Sequence, residues 1–171
     1  TDEVAWVLNL RGYDIPYNPV FIAYLLVLKD EAVLYIRESI LTDEVQKHLD
    51  AAGVKTERYE AVFKKLENIT GTMIADPSKL SVSLAESFSE TLKEKSPTPA
   101  GMFKAVKNKT EQQGFREAMK RDGRAMVRFI RWVKENVSSG SLTELSCEEQ
   151  LLYFRSSEDQ FYGESFHPIV G

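Results

Sequence analysis

Cysteine and histidine are the scarcest chemistry-bearing residues in this 171-residue chain, with one Cys, Cys147, and two His, His48 and His167. A single cysteine excludes an internal disulfide and suits a reducing compartment. Two histidines so far apart in sequence do not suggest a His-built metal site. The nine glycines are scattered, with neither a G-x-G-x-x-G nor a Walker pattern, which argues against a phosphate-cradling loop. Long apolar runs are also missing. The longest, Val20 to Leu28, falls well short of the roughly 20 residues that a membrane-spanning helix needs, and reads as a buried strand. The first residues are acidic where a signal peptide would be basic. A soluble, cytoplasmic protein is expected. The first residue is Thr1 rather than Met, so the chain looks cut from a longer polypeptide.

What remains is ordinary globular composition, 43% hydrophobic and 28% charged, enough to bury a core. At about 150 residues per domain, this is one domain and a fraction. A net charge of −4 gives no reason to expect nucleic acid or an anionic membrane as a partner. That charge is uneven: −5 over residues 1–103, +7 over 104–134 and −6 over 135–171.

The first segment alternates strand and helix patterns. Asp2 to Leu8 is a helical turn or a strand, and Arg11 to Pro19 is a loop punctuated by Gly12, Pro16 and Pro19. Val20–Leu28 and Ala32–Ile36 read as a hairpin turning at Lys29-Asp30-Glu31. Thr42 caps a helix to about Ala52, closed by Gly53. Val54–Tyr59 is a strand, Ala61–Asn68 a helix and Thr72–Ala75 a strand. Ser83 and Glu86 suggest a capping box opening a helix to about Lys93. Strands alternating with helices predict an α/β domain with a mixed sheet flanked by helices. Lys95-Ser96-Pro97-Thr98-Pro99 reads as a linker, which places a domain boundary near residue 101.

The second segment is helical. Asn108 caps a helix of roughly 28 residues, with Phe115, Met119, Asp122, Met126, Ile130 and Val133 on one stripe, apolar except at Asp122. Arg116, Lys120, Arg124, Arg128 and Arg131 fall elsewhere on the wheel. With no aromatics among them, they read as a solvated face or one docking on acidic parts of the same chain. Ser146 and Glu149 suggest a second capping box opening a helix to about Arg155, and Phe161–Val170 reads as extended. Two helices and a strand over residues 102–171 read as the opening of a further domain.

Chemistry-bearing candidates are few. His48 beside Lys47 reads as a surface histidine. His167 has no Asp, Glu or Cys at ligand spacing, and Cys147 has no nearby His to complete a nucleophile pair. Asp43-Glu44 and Glu148-Glu149 sit at helix starts, where the dipole accounts for them. The stretch Asn9 to Phe21 is more informative: a polar and aromatic loop leading into a buried strand, the kind of loop that often carries binding.

At this loop the sequence becomes recognisable. Asp2-Glu3-Val4-Ala5-Trp6-Val7-Leu8-Asn9-Leu10-Arg11-Gly12, then Tyr17-Asn18-Pro19-Val20-Phe21, resembles the opening of the middle domain of three-domain Xaa-Pro aminopeptidases (aminopeptidase P, creatinase family). Lys104 to Glu111 with Gly114-Phe115-Arg116 resembles the beginning of that family's pita-bread catalytic domain. Leu142 to Ser146, Glu148, Phe154-Arg155 and Ser165-Phe166 extend the match in order. Tyr13 departs from it, standing where a small residue is expected.

The resemblance implies a creatinase/prolidase N-terminal-like domain over 1–101. Over 102–171 it implies helices opening an incomplete α+β pita-bread domain. It further implies a hydrolase that removes the N-terminal residue before proline, using two divalent metal ions, usually manganese. The substrate would be a peptide with proline in second position. The family's metal ligands, two Asp, one His and two Glu, lie beyond the Ser-Phe-x-x-Ile element, here Ser165-Phe166-His167-Pro168-Ile169. No catalytic residue or metal ligand is therefore carried over to this chain. His167 matches no family catalytic histidine, and the chain alone is expected to bind no metal and to be inactive. Arg11, Asp14, Tyr17 and Asn18 are expected to approach the substrate groove. Without the rest of the pita-bread domain, the stripe Phe115, Met119, Met126, Ile130 and Val133 is expected to be exposed, a surface through which two copies pair as a homodimer. The alternative is a non-catalytic pseudo-enzyme or scaffold module binding a partner through its basic helix.

Overall fold

The computed structural model describes residues 1–88, 92–94 and 96–169. They fall into two compact units, Thr1–Ile15 with Pro19–Val106, and Pro16–Asn18 with Lys107–Gly171.

The first unit is built around a three-stranded mixed sheet. Strand β1 (Ala23–Val27) pairs antiparallel with β2 (Ala32–Ile36), and β2 pairs in parallel with β3 (Val54–Arg58). The order β1-β2-β3 leaves β2 central, and its side chains feed two cores. Leu34 and Ile36 join Ala23, Leu49 and Val54 on one face, with Ala5 and Leu8 of helix α1 (Asp2–Leu8). Val33 and Tyr35 join Leu26, Val62, Leu66, Leu84 and Phe88 on the other. A strand covered on both faces must be apolar at consecutive positions rather than alternating, which is how Val33-Leu34-Tyr35-Ile36 reads. Helix α2 (Asp43–Ala51) covers the first face through Leu49; α3 (Ala61–Glu67) covers the second through Val62 and Leu66. Thr42 caps α2 as expected, its hydroxyl accepting the Val45 N–H.

Three local expectations change. The cap of α4 (Val82–Glu86) is Ser81, not Ser83, and the helix ends seven residues before Lys93. Leu92–Glu94 is instead strand β5, paired in parallel with β4 (Met73–Ala75). Long-range pairing overrides local helix propensity there. Residues 89–91 of the expected helix, and Lys95 of the expected linker, lie outside the described residues. The rest of that linker opens a helix that the sequence reading lacked, α5 (Pro99–Ala105), with Thr98 as cap accepting the Gly101 N–H and Pro99 in the first turn, where its missing N–H costs nothing. Helix α5 packs on α1, joined by Lys104 to Asp2 at 2.8 Å and Thr98 Oγ1 to Glu3 Oε2 at 2.6 Å.

The second unit holds α6 (Lys109–Asn136) and α7 (Glu144–Ser156). Asn108 and Glu111 form the expected capping box. The cap of α7 is Thr143, with Ser146 as its third helical residue, so the box lies three residues before the expected one. Residues 161–169 carry no strand; Val170 lies outside the described residues. Ala125 is the one buried apolar residue of this unit among those described, and Phe115, Met119 and Ile130 of the stripe are exposed.

Candidate functional site

The loop from Asn9 to Phe21 begins at a helix end. Asn9 adopts the left-handed conformation that closes α1, with the Asn9 N–H on Trp6 O and the Leu10 N–H on Ala5 O. Arg11 folds back on the same end: its Nη1 donates to Ala5 O at 3.1 Å and Leu10 O at 2.9 Å. A guanidinium at a helix C-terminus satisfies free carbonyls and complements the dipole. His48 of α2 adds another donor there, Nε2 to Leu8 O at 2.8 Å, which places the proton on Nε2.

Asp14 organises the middle of the loop. Its backbone N–H donates to Val20 O at 3.2 Å. Its Oδ2 accepts the Ile22 N–H at 2.8 Å and lies 3.1 Å from Arg37 Nη2. One further step of the β1–β2 register would set Ile22 opposite Arg37, so the Asp14 carboxylate closes the end of that ladder. The Ile22 hydrogen bond, with Arg37 second, holds the Asp14 carboxyl below the usual carboxylate range. Gly12 lies where the two legs of the loop approach: a Cβ there would stand 2.8 Å from Phe21 Cβ.

The tip is Pro16-Tyr17-Asn18-Pro19. Asn18 Nδ2 donates to Pro16 O at 3.1 Å. Tyr17 has φ +64°, a conformation that costs a bulky residue on the order of 1–3 kcal/mol. Its ring stacks on His167 at a centroid distance of 6.2 Å and an interplanar angle of 12°. Of the four loop residues singled out from sequence, Arg11, Asp14 and Asn18 make bonds that shape the backbone, and Tyr17 is displayed. Arg37 was missed, because its partner lies 23 positions earlier and nothing local marks it.

The basic face of α6 meets acidic residues of its own unit. Glu158, with a side chain only 9% exposed, pairs with Arg124 and, at 3.3 Å, with Arg128. Arg155 Nε lies 2.8 Å from Asp122 Oδ1, which accounts for the polar break in the stripe. Lys120 pairs with Glu117 and Arg131 with Glu135 along the helix. Cys147 is a free, half-buried thiol in the first turns of α7. Among the described residues no group of three or more His, Cys, Asp or Glu is placed to hold a metal ion, so these residues do not fit a dinuclear centre. No helix among them is long and apolar enough to cross a membrane.

Comparison with known proteins extends this geometry. Residues 1–111 match the creatinase/prolidase N-terminal domain family. An uncharacterised peptidase of Schizosaccharomyces pombe is 44% identical over 98% of the chain, and aminopeptidase P2 of Arabidopsis thaliana 32% identical over 99%. Among solved structures, X-prolyl aminopeptidase from Caenorhabditis elegans, a cytosolic enzyme with a di-nuclear active site, superposes with a TM-score of 0.89 and 28% identity over 96% of the chain. The chain spans about 28% of the length of these relatives. With its mixed sheet, flanking helices and ordered polar loop, the chain belongs to the creatinase/prolidase N-terminal domain family.

Proposed function

We propose that residues 1–171 are part of a metal-dependent Xaa-Pro aminopeptidase, a cytoplasmic hydrolase that removes the N-terminal residue preceding proline. The observation that carries this reading is similarity along almost the whole chain, in sequence to aminopeptidase P2 and in fold to the X-prolyl aminopeptidase, across both units at once. Residues 1–101 would be the middle domain and 102–171 the opening of the catalytic domain. We assign the two metal ions, manganese by preference, and their ligands to polypeptide outside residues 1–171. No step of hydrolysis is assigned to this chain's own side chains. Its contribution is to shape and border the groove that takes a peptide with proline in second position. Arg11, Asp14 and Asn18 would hold the loop, and Tyr17 would be presented by it. In the 171-residue chain by itself, two copies would pair through the α6 stripe, a surface that the rest of the longer enzyme would cover.

The test is hydrolysis of Xaa-Pro and Xaa-Ala peptides by the polypeptide of the relatives' length, with and without a chelator. Chelator-sensitive cleavage confined to Xaa-Pro peptides is expected; cleavage of both series alike, or of neither, overturns the reading. The 171-residue chain should retain no stoichiometric manganese after dialysis. Arg11→Ala in the longer enzyme should alter kinetics on short Xaa-Pro peptides, and unchanged kinetics would remove that residue from the groove.

A further inference from the structure

We propose that Tyr17 is a positioning residue that acts through His167, fixing the imidazole and with it the segment Ser165–Ile169. Three described non-glycine residues have positive φ: Asn9, Tyr17 and Gln160. Asn9 is the cap of α1, and its short polar side chain tolerates that geometry, as do many such residues at helix ends. Tyr17 is different, being aromatic and remote from any helix end. Its backbone is held there by its surroundings. Pro16 and Pro19 restrict the chain on either side, and the Asn18 amide is tied to Pro16 O. The result is a rigid corner that holds one ring outward.

That ring is 12° from parallel with the His167 imidazole. The stack is not a by-product of core packing, because Tyr17 is 46% exposed and His167 is exposed too. Among the described residues the His167 imidazole has no hydrogen bond or ion pair, and its ring contact is with Tyr17. Pro16–Asn18 and the His167 segment belong to the same compact unit. An unfavourable backbone conformation, a corner that restricts it, and an imidazole with no polar partner among the described residues converge on one contact. Strain at a defined position commonly marks such a preorganised element.

The consequence for catalysis rests on the aminopeptidase reading, and the test separates the two. With two histidines in the chain, the imidazole region of a proton–carbon correlation spectrum holds two sets of signals, and His167→Ala assigns them. Tyr17→Phe should leave the His167 signal in place. Tyr17→Gly, which suits φ +64° and removes the whole side chain, should move it and leave His48 unchanged. A His167 signal that stays put in Tyr17→Gly overturns the stack. In the polypeptide of the relatives' length, Tyr17→Gly should lower kcat about tenfold at unchanged KM, with Tyr17→Phe retaining activity. An unchanged kcat overturns the positioning role. A wild-type enzyme without Xaa-Pro activity would overturn the aminopeptidase reading and leave the spectroscopic result standing.

Discussion

Arg155 Nε lies 2.8 Å from Asp122 Oδ1 and ties α7 to the one polar position in the α6 stripe. The two side chains are 33% and 39% exposed, so solvent screens the pair and its net worth is about 1 kcal/mol or less. Asp122→Ala and Arg155→Ala should each lower the urea midpoint by a similar small amount. The double variant should lose little more than either single one, because both remove the same bond. Full additivity would show that the two residues stabilise the unit independently.

Gly12 is required by closeness rather than by an unusual φ. A Cβ at this position would meet Phe21 Cβ at 2.8 Å and Val20 O at 3.2 Å, with Phe21 itself buried. Neither neighbour is the flexible end of a side chain, so the backbone must shift. Gly12→Ala should destabilise the first unit by about 1–3 kcal/mol, as overpacking does, measured by thermal unfolding. An unchanged Tm would mean that the two legs of the loop separate freely.

The parts legible in the sequence were those whose cause is local. Thr42 and Asn108 cap helices through bonds to residues three positions on, and the apolar run Val33 to Ile36 announces a strand. The parts that were not legible depend on distant partners. Leu92–Glu94 becomes a strand because β4 is there to pair with. The loop showed as polar and aromatic, yet nothing local said that Asp14 closes the β1–β2 ladder or that Tyr17 meets His167. Asp122 showed only as the one charge in an apolar stripe; its partner Arg155, 33 residues on, did not. Thr143 was passed over as a cap because its reciprocal partner is Ser146 rather than the Glu or Gln of the usual pattern.

His48 joins α2 to the C-terminal end of α1 through Leu8 O, 40 residues away. A hydrogen bond of this kind is worth about 1 kcal/mol net. His48→Ala should lower stability by about that amount, and hydrogen exchange should show the end of α1 opening more readily while α6 and α7 are unaffected. Protection that falls equally in both units would contradict a local role.

Asp14 should make the first unit sensitive to acid. Its folded carboxyl titrates below the usual range, so the unfolded chain binds a proton at higher pH than the folded one. The contribution is therefore complete above the unfolded value of about 4 and is lost as pH falls through the lowered folded value. Asp14→Asn keeps an oxygen for the Ile22 N–H but no charge for Arg37, so its unfolding midpoint should fall less steeply with acid than the wild type's. Added salt should narrow the difference between the two at neutral pH, because the Arg37 side chain is 53% exposed and its pairing is screened. The Ile22 bond is short-ranged and should persist. Parallel midpoint curves for the two proteins from neutrality to acid would show that Asp14 titrates normally in the fold, and the carboxylate would then owe nothing to its place at the end of the ladder.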